Sequence, residues 1–317
     1  MAAEFKKASP SKGDINADLD PVEQCLKYTQ AGVSVISVLT EFQHFKGTLN
    51  DMKRVRIATQ KWCNENSRPR PAVLRKDFIL DRYQILEARA NGADTVLLIV
   101  AVLGVKQLED LIAYCRRLDM EPLVEVNTQK EVEIAIKCGA KVLGVNNRNL
   151  HTFQLDLETT KRAIEAVDRL GKSWRPIDGQ IPEVTIAALS GIASASEVRY
   201  FKELGVSCCL IGETLMKSSN PTRTIHELLG KSDSSQHASS AGSGLVKICG
   251  MVNLEDVNTA ISSGADLIGI IFAKQSPRRV DVDTARSIVD SVRRYGERRS
   301  RIDLGTHMDK LRTEQVR

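Results

Sequence analysis

The stretch NGADTVLLIV, residues 91–100, decides the fold. A helical pattern runs up to it, Gly92 stands where a helix end favours a left-handed residue, and an unbroken apolar run follows. A strand with no polar face suits a parallel sheet covered on both sides. The same arrangement recurs as AGVSVISVL (31–39), CGAKVLGV (138–145), LGVSCCLIG (204–212) and SGADLIGIIF (263–272). Each copy reads as the joint between a helix and the next strand of a βα repeat.

Helix starts fit that repeat. Asp81 with Gln84, Thr128 with Glu131 and Ser194 with Glu197 have capping-box spacing. Leu108, Leu111, Ile112, Cys115 and Leu118 share one helical face. Strands are expected near 2–6, 33–39, 71–75, 94–100, 122–126, 141–146, 184–189 and 207–212. Eight βα units in roughly 230 residues match a (β/α)8 TIM barrel, whose typical size is ~250. The alternative is a doubly wound open sheet, but no GxGxxG follows the first strand.

Beyond residue 230 the pattern breaks. KSDSSQHASSAGSG (231–244) has the composition of a flexible linker. A new unit then begins with LVKICG (245–250), a helix over 253–262, a strand over 265–272 and a helix near 282–294. Two βα repeats stand where a barrel needs eight, so residues 245–317 are expected to form a partial second (β/α) barrel. The polar tail RRSRIDLGTHMDKLRTEQVR (298–317) is expected to be disordered.

Composition narrows the function. The 317 residues carry 45 basic and 40 acidic side chains, a net charge of +5. No basic stripe is interleaved with aromatics, so nucleic acid is not suggested; a small anionic substrate fits the mild excess better. The seven cysteines (25, 63, 115, 138, 208, 209, 249) are odd in number, lack metal spacing and lie mostly in apolar runs. They read as reduced, largely buried thiols. The five histidines show no paired spacing and imply no metal, and Trp62 and Trp174 read as packing or surface residues. No signal peptide is visible and no apolar run reaches ~18 residues, so a soluble cytoplasmic protein without membrane contact is expected.

Barrel active sites lie at the C-terminal ends of the strands, and polar residues gather there. Strand by strand these are Glu4 and Lys6, then Lys76, Glu125 with Asn127, Asn146 with Arg148, Ser190–Gly191, and Gly212–Glu213. Opposed charges in one half-buried mouth shift each other's pKa, which lets an acid and a base coexist at neutral pH. Small residues after the last two strands let backbone N–H groups approach a phosphate. SPSKG (9–13) reads as a hinged loop over the mouth that brings Lys12 to an anion. Another sugar-phosphate barrel enzyme, or a non-catalytic chain, also fits these residues.

EFKKASPSKG, VLRKDFI, PLVEVN, LGVNNRNL, LSGI and CLIGETLM, in this order between residues 4 and 216, resemble indole-3-glycerol-phosphate synthase. VKICGM (246–251), SGADLIGIIFA (263–273) and SPRRV (276–280) resemble the start of phosphoribosylanthranilate isomerase. In tandem the two resemble the C-terminal part of the multifunctional tryptophan-biosynthesis proteins of fungi, where a glutamine amidotransferase domain precedes them.

The resemblance implies a decarboxylating ring closure of 1-(2-carboxyphenylamino)-1-deoxyribulose 5-phosphate, with no cofactor. Lys76 would be the general acid, its pKa drawn toward working pH by burial and neighbours, and Glu125 would assist dehydration. Lys6 and Arg148 would hold anionic groups, Glu4 would orient the lysines, and Asn146 would hydrogen-bond the substrate. Ser9 would join substrate binding, and Ser190, Gly191, Gly212 and Glu213 would line the phosphate site. It also opens an association with an anthranilate synthase component. In that family several dozen residues precede the first strand, so the barrel is expected to lack its N-terminal extension. Position 189 is Leu where many members carry Glu. Cys249 matches the isomerase's general base and Arg278 a substrate-binding arginine, but isomerase activity is not expected from two repeats.

Overall fold

The computed structural model describes residues 1–10, 12–149, 152–175, 181–231, 247–262, 265 and 267–294. The chain divides into two compact units, Met1–Ser235 and Gln236–Arg317. The expected linker beyond Lys231 and the polar tail lie outside the described residues, as do Ser11, Leu150 and His151.

In the first unit β1 (Ala2–Phe5) leads into a small hairpin, β2 (Ala8–Ser9) and β3 (Gly13–Asp14). Then come α1 (Pro21–Gln30), β4 (Val35–Leu39), α2 (Leu49–Glu65), β5 (Ala72–Lys76), α3 (Arg82–Ala90), β6 (Thr95–Ile99) and α4 (Val105–Arg117). They are followed by β7 (Leu123–Val126), α5 (Gln129–Lys137), β8 (Val142–Asn146), α6 (Glu158–Arg169), β9 (Thr185–Leu189), α7 (Ala195–Glu203) and β10 (Cys208–Ile211). Two helices, α8 (Glu213–Lys217) and α9 (Pro221–Leu228), end the unit. The strands other than β2 and β3 form a closed barrel in the order β1-β10-β9-β8-β7-β6-β5-β4. All its pairings are parallel, and β1 closes it by pairing with both β10 and β4. This is the expected (β/α)8 barrel. The hairpin was not expected: residues 9–13 read as a hinged loop over the mouth without strands of its own, but Ala8 pairs with Asp14 and Ser9 with Gly13, antiparallel.

The recurring glycine works as a joint. Gly32, Gly92, Gly139 and Gly205 all have φ between +82 and +92. The next residue donates back to a carbonyl five positions earlier: Val33 to Tyr28, Ala93 to Ala88, Ala140 to Ala135 and Val206 to Phe201. This is the Schellman closure, which satisfies orphan carbonyls at a helix end and buries the following apolar residue. All three predicted capping boxes form, on α3, α5 and α7.

Side chains alternate along every strand. Ala2, Leu74, Leu97, Ile99, Leu123, Ala187, Leu189 and Leu210 fill the barrel interior. Their neighbours, such as Val73, Leu98, Val124, Val145 and Ile186, pack against the helices. The interior phase, carried two residues further, reaches Glu4, Lys76, Glu125 and Gly212. The apolar plug therefore forms the floor of the site.

Gly144 also belongs to the interior phase. A Cβ there would lie 2.8 Å from Leu189 Cδ1 and 3.1 Å from Leu123 Cδ1. Gly144→Ala is expected to cost roughly 1–3 kcal/mol through overpacking, read as a lower urea midpoint with an unchanged m-value.

The second unit pairs β11 (Lys247–Cys249) with β12 (Leu267–Gly269) in parallel. Its helices are α10 (Leu254–Ser262) and α11 (Val282–Arg294). Val257, Ala260, Val280, Ala285 and Ile288 are its buried apolar residues among those described.

Candidate active site

The C-terminal ends of the barrel strands surround a cavity of about 640 Å³. All eleven residues proposed for the barrel site line it: Glu4, Lys6, Ser9, Lys76, Glu125, Asn146, Arg148, Ser190, Gly191, Gly212 and Glu213. They come from six strand ends and the hairpin; the interior phase aims Glu4, Lys76, Glu125 and Asn146 at that volume, and the turns after β9 and β10 bring Ser190, Gly191, Gly212 and Glu213 to it.

Two ion pairs divide the floor. Lys6 Nζ lies 3.2 Å from Glu4 Oε1, and Ser37 Oγ donates to Glu4 Oε2 at 3.3 Å. Lys76 Nζ lies 3.7 Å from Glu125 Oε2, beyond hydrogen-bond reach. Asn146 Nδ2 donates to Glu125 Oε1 at 2.9 Å, and Asn127 Nδ2 to the Asn146 carbonyl at 2.7 Å. Glu125 Oε2 is thus buried and accepts no hydrogen bond among the described residues. An unsatisfied buried carboxylate oxygen is costly, and this one faces the cavity's ammonium.

Burial pushes the Glu4 carboxyl up, but the charges of Lys6 and Lys76 and hydrogen bonds from Lys6 and Ser37 outweigh it, leaving it below its ordinary 4.5. Burial pushes Lys76 down, but Glu125 and Glu4 outweigh it and hold it above its ordinary 10.5. The expectation that Lys76 is drawn toward working pH is therefore corrected. Two carboxylates face one ammonium, and their attraction exceeds the burial cost.

The signs fix a pH prediction by linkage. The stability from Lys76's raised pKa is fully present below 10.5 and fades as pH climbs through its folded value. That from Glu4's lowered pKa is present above 4.5 and fades as pH falls through its folded value. Glu4→Gln should lower the urea midpoint between these limits, and the deficit should shrink below pH 4.5. A deficit independent of pH would contradict this.

Opposite the floor, Ser190 and Gly191 both have left-handed backbones, φ +66 and +76. A Cβ on Gly191 would meet Leu155 Cδ1 at 2.3 Å, and one on Gly212 would meet Glu4 Oε1 at 2.8 Å. Both glycines are thus required by close approach. Glu213, at the start of α8, pairs with Lys217 at 2.7 Å. The hydrogen bond from Lys217 leads in lowering its pKa; Lys12 and Lys6 add to it. Lys12 lines the cavity, as expected. Arg148 also lines it and donates from Nη1 to the Phe153 carbonyl at 3.1 Å.

Sequence reasoning missed other residues here. His44, read as incidental, lines the cavity, as do Phe45, Phe78 and Val102. Arg75, given no role in the sequence reading, precedes Lys76 on β5 but points the other way and is buried against the helices. Its Nη2 lies 3.1 Å from Asp77 Oδ2 and its Nη1 2.9 Å from Glu87 Oε2. It also donates to Thr40 Oγ1 and to the Gln84 carbonyl, while Thr40 donates to Asp77. Strand alternation was the signal that could have found it. In the second unit, Arg278 Nη1 donates to the Cys249 carbonyl at 3.4 Å, so that predicted pair is adjacent.

The sequence model of indole-3-glycerol phosphate synthase matches residues 1–228. The chain belongs to the indole-3-glycerol phosphate synthase family. An indole-3-glycerol phosphate synthase of Dehalococcoides mccartyi is 42% identical over 229 residues, 72% of this chain and 81% of that protein. A multifunctional tryptophan biosynthesis protein of Schizosaccharomyces pombe is 49% identical over 289 residues, 91% of this chain. The chain spans 36% of that protein's length. Among solved structures, a 3-hexulose-6-phosphate synthase superposes with a TM-score of 0.51 at 12% identity, over 73% of this chain and 98% of that one, a likeness of fold alone. Among the described residues no helix of this synthase-family chain is long and apolar enough to cross a membrane.

Proposed function

We propose that the first unit catalyses indole-3-glycerol phosphate synthesis from 1-(2-carboxyphenylamino)-1-deoxyribulose 5-phosphate. The supporting observation is the Lys76–Glu125 pair: a held ammonium facing a carboxylate oxygen that accepts no hydrogen bond among the described residues, in a cavity that the Ser190–Gly191 turn also lines. Lys76 Nζ gives a proton to the ketose carbonyl oxygen as the ring carbon attacks it. Departure of carbon dioxide restores the aromatic ring, and loss of the new hydroxyl as water completes the indole. Glu125 takes the proton from the carbon next to the ring nitrogen and passes it to the departing hydroxyl, and Lys76 recovers its proton from solvent. Atoms balance with no oxidant, reductant or cofactor.

Lys6 and Arg148 hold the anionic carboxylate, Asn146 fixes Glu125 and the substrate hydroxyls, and Glu4 holds Lys6 in place. The phosphate enters between the Ser190–Gly191 turn and the Gly212–Glu213 start of α8, beside Lys12. Indole fluorescence on adding this substrate tests the reading; a folded protein that forms no indole overturns it.

The resemblance of the second unit supports two further proposals. It is a βα pair of the isomerase family, and the chain works alongside an anthranilate synthase component. Acid–base isomerisation needs two groups across one site. Phosphoribosylanthranilate is therefore expected to remain unconverted by this 317-residue chain, measured as constant substrate fluorescence.

A further inference from the structure

We propose that Asn147 is the positioning residue for the anion-binding turn at Ser190–Gly191, acting from outside the cavity. The inference rests on the phosphate reading above. Asn147 follows the substrate-facing Asn146, and alternation turns it away from the barrel interior. It is buried, and it does not line the cavity at the barrel mouth.

The turn needs an external hold. Ser190 is a non-glycine residue at φ +66, a conformation that persists only where surroundings impose it. Asn147 supplies two grips on consecutive carbonyls. Its backbone N–H donates to Leu189 O at 2.9 Å, and its Nδ2 donates to Ser190 O at 3.3 Å. The second grip requires the amide to face one way. The Ser190 carbonyl can only accept, so the NH₂ must face it, and Thr160 Oγ1, on α6, secures that orientation by donating to Asn147 Oδ1 at 2.8 Å. The Asn147 carbonyl also accepts from the Asp156 N–H at 2.8 Å, which ties the same residue to the chain that carries Leu155 over Gly191. The path from α6 to the anion site is therefore Thr160, Asn147, Ser190, Gly191.

A merely structural buried asparagine would affect folding without favouring one part of the substrate. A positioning residue for the turn would affect anion affinity first. The test uses the full chain and inorganic phosphate as a competitive inhibitor, with Asn147→Ala, Thr160→Val, Thr160→Ser and Gly191→Val compared at equal folded fraction. Asn147→Ala and Thr160→Val are expected to raise the phosphate inhibition constant and KM about ten-fold, with a several-fold smaller change in kcat. Thr160→Ser, which keeps the hydroxyl, is expected to restore both. If Asn147→Ala does not fold, Thr160→Val decides alone. Unchanged phosphate inhibition in the folded variants, or a kcat loss as large as the KM rise, overturns the positioning role. Should Gly191→Val alone weaken phosphate, that role fails while the anion site stands. If no variant weakens phosphate, the anion site itself is wrong, and the inference falls with it.

Discussion

Lys76→Ala is expected to abolish measurable indole formation while the barrel stays folded. Positioned acid–base groups supply ~10²–10⁴-fold each, and here the lost group is also the cation opposite Glu125. The wild-type ammonium stays protonated across the neutral range because Glu125 and Glu4 face it. Among the described residues Lys76 alone is ion-paired with Glu125: Lys6 is engaged with Glu4 at 3.2 Å, Lys217 with Glu213, and Arg148 reaches the Phe153 carbonyl. Single-turnover fluorescence gives the rate and circular dichroism the fold. A folded variant with near-wild-type kcat would remove Lys76 from the mechanism. Lys76→Met, which keeps the apolar stem, should be equally inactive, separating the charge from packing.

The largest stability effect is expected one residue earlier. Arg75→Met should cost about 3–5 kcal/mol, the range for removing one partner of a buried ion pair. The guanidinium is the only described ion-pair partner of Asp77, whose side chain is 11% exposed, and of Glu87, which is 28% exposed. Glu87 can turn toward water, so most of the cost falls on Asp77. Thr40 remains hydrogen-bonded to Asp77 but carries no charge. Adding Asp77→Asn should recover part of the loss, because the stranded charge is then gone. Urea denaturation measures both, and a loss under about 1 kcal/mol would mean the cluster is solvated, as surface pairs are.

The repeated glycine joint made most of the barrel legible from sequence. Each predicted strand overlaps an observed one, since a Schellman end and an apolar run leave little freedom in between. The cavity-lining candidates were legible because charged residues gather at the strand ends and are rare within the strands. Arg75 was not, because only Lys76 stood out at that strand end, although a strand sends neighbours to opposite faces and so assigns Arg75 to the helix layer. The β2–β3 hairpin was invisible because two-residue strands carry no periodicity. His44, Phe45 and Val102 sit on loops, whose paths over the mouth depend on tertiary contacts. The direction of the Lys76 shift depends on two carboxylates from other strands outweighing burial, a balance that no linear motif expresses.

The opposite facings of Arg75 and Lys76 limit how this protein can change its length. Deleting one residue of β5 ahead of Arg75 would shift the parity of everything after it, seating the Asp77 carboxylate where Lys76 stood beside Glu125 and driving the ammonium into the helix layer. Both errors arise from one event, so viable length variation is barred from the strands. The hairpin between β1 and α1 has no such parity to keep. Insertions there would alter only what crosses the mouth, so substrate range can drift at that loop while the reacting pair stays fixed.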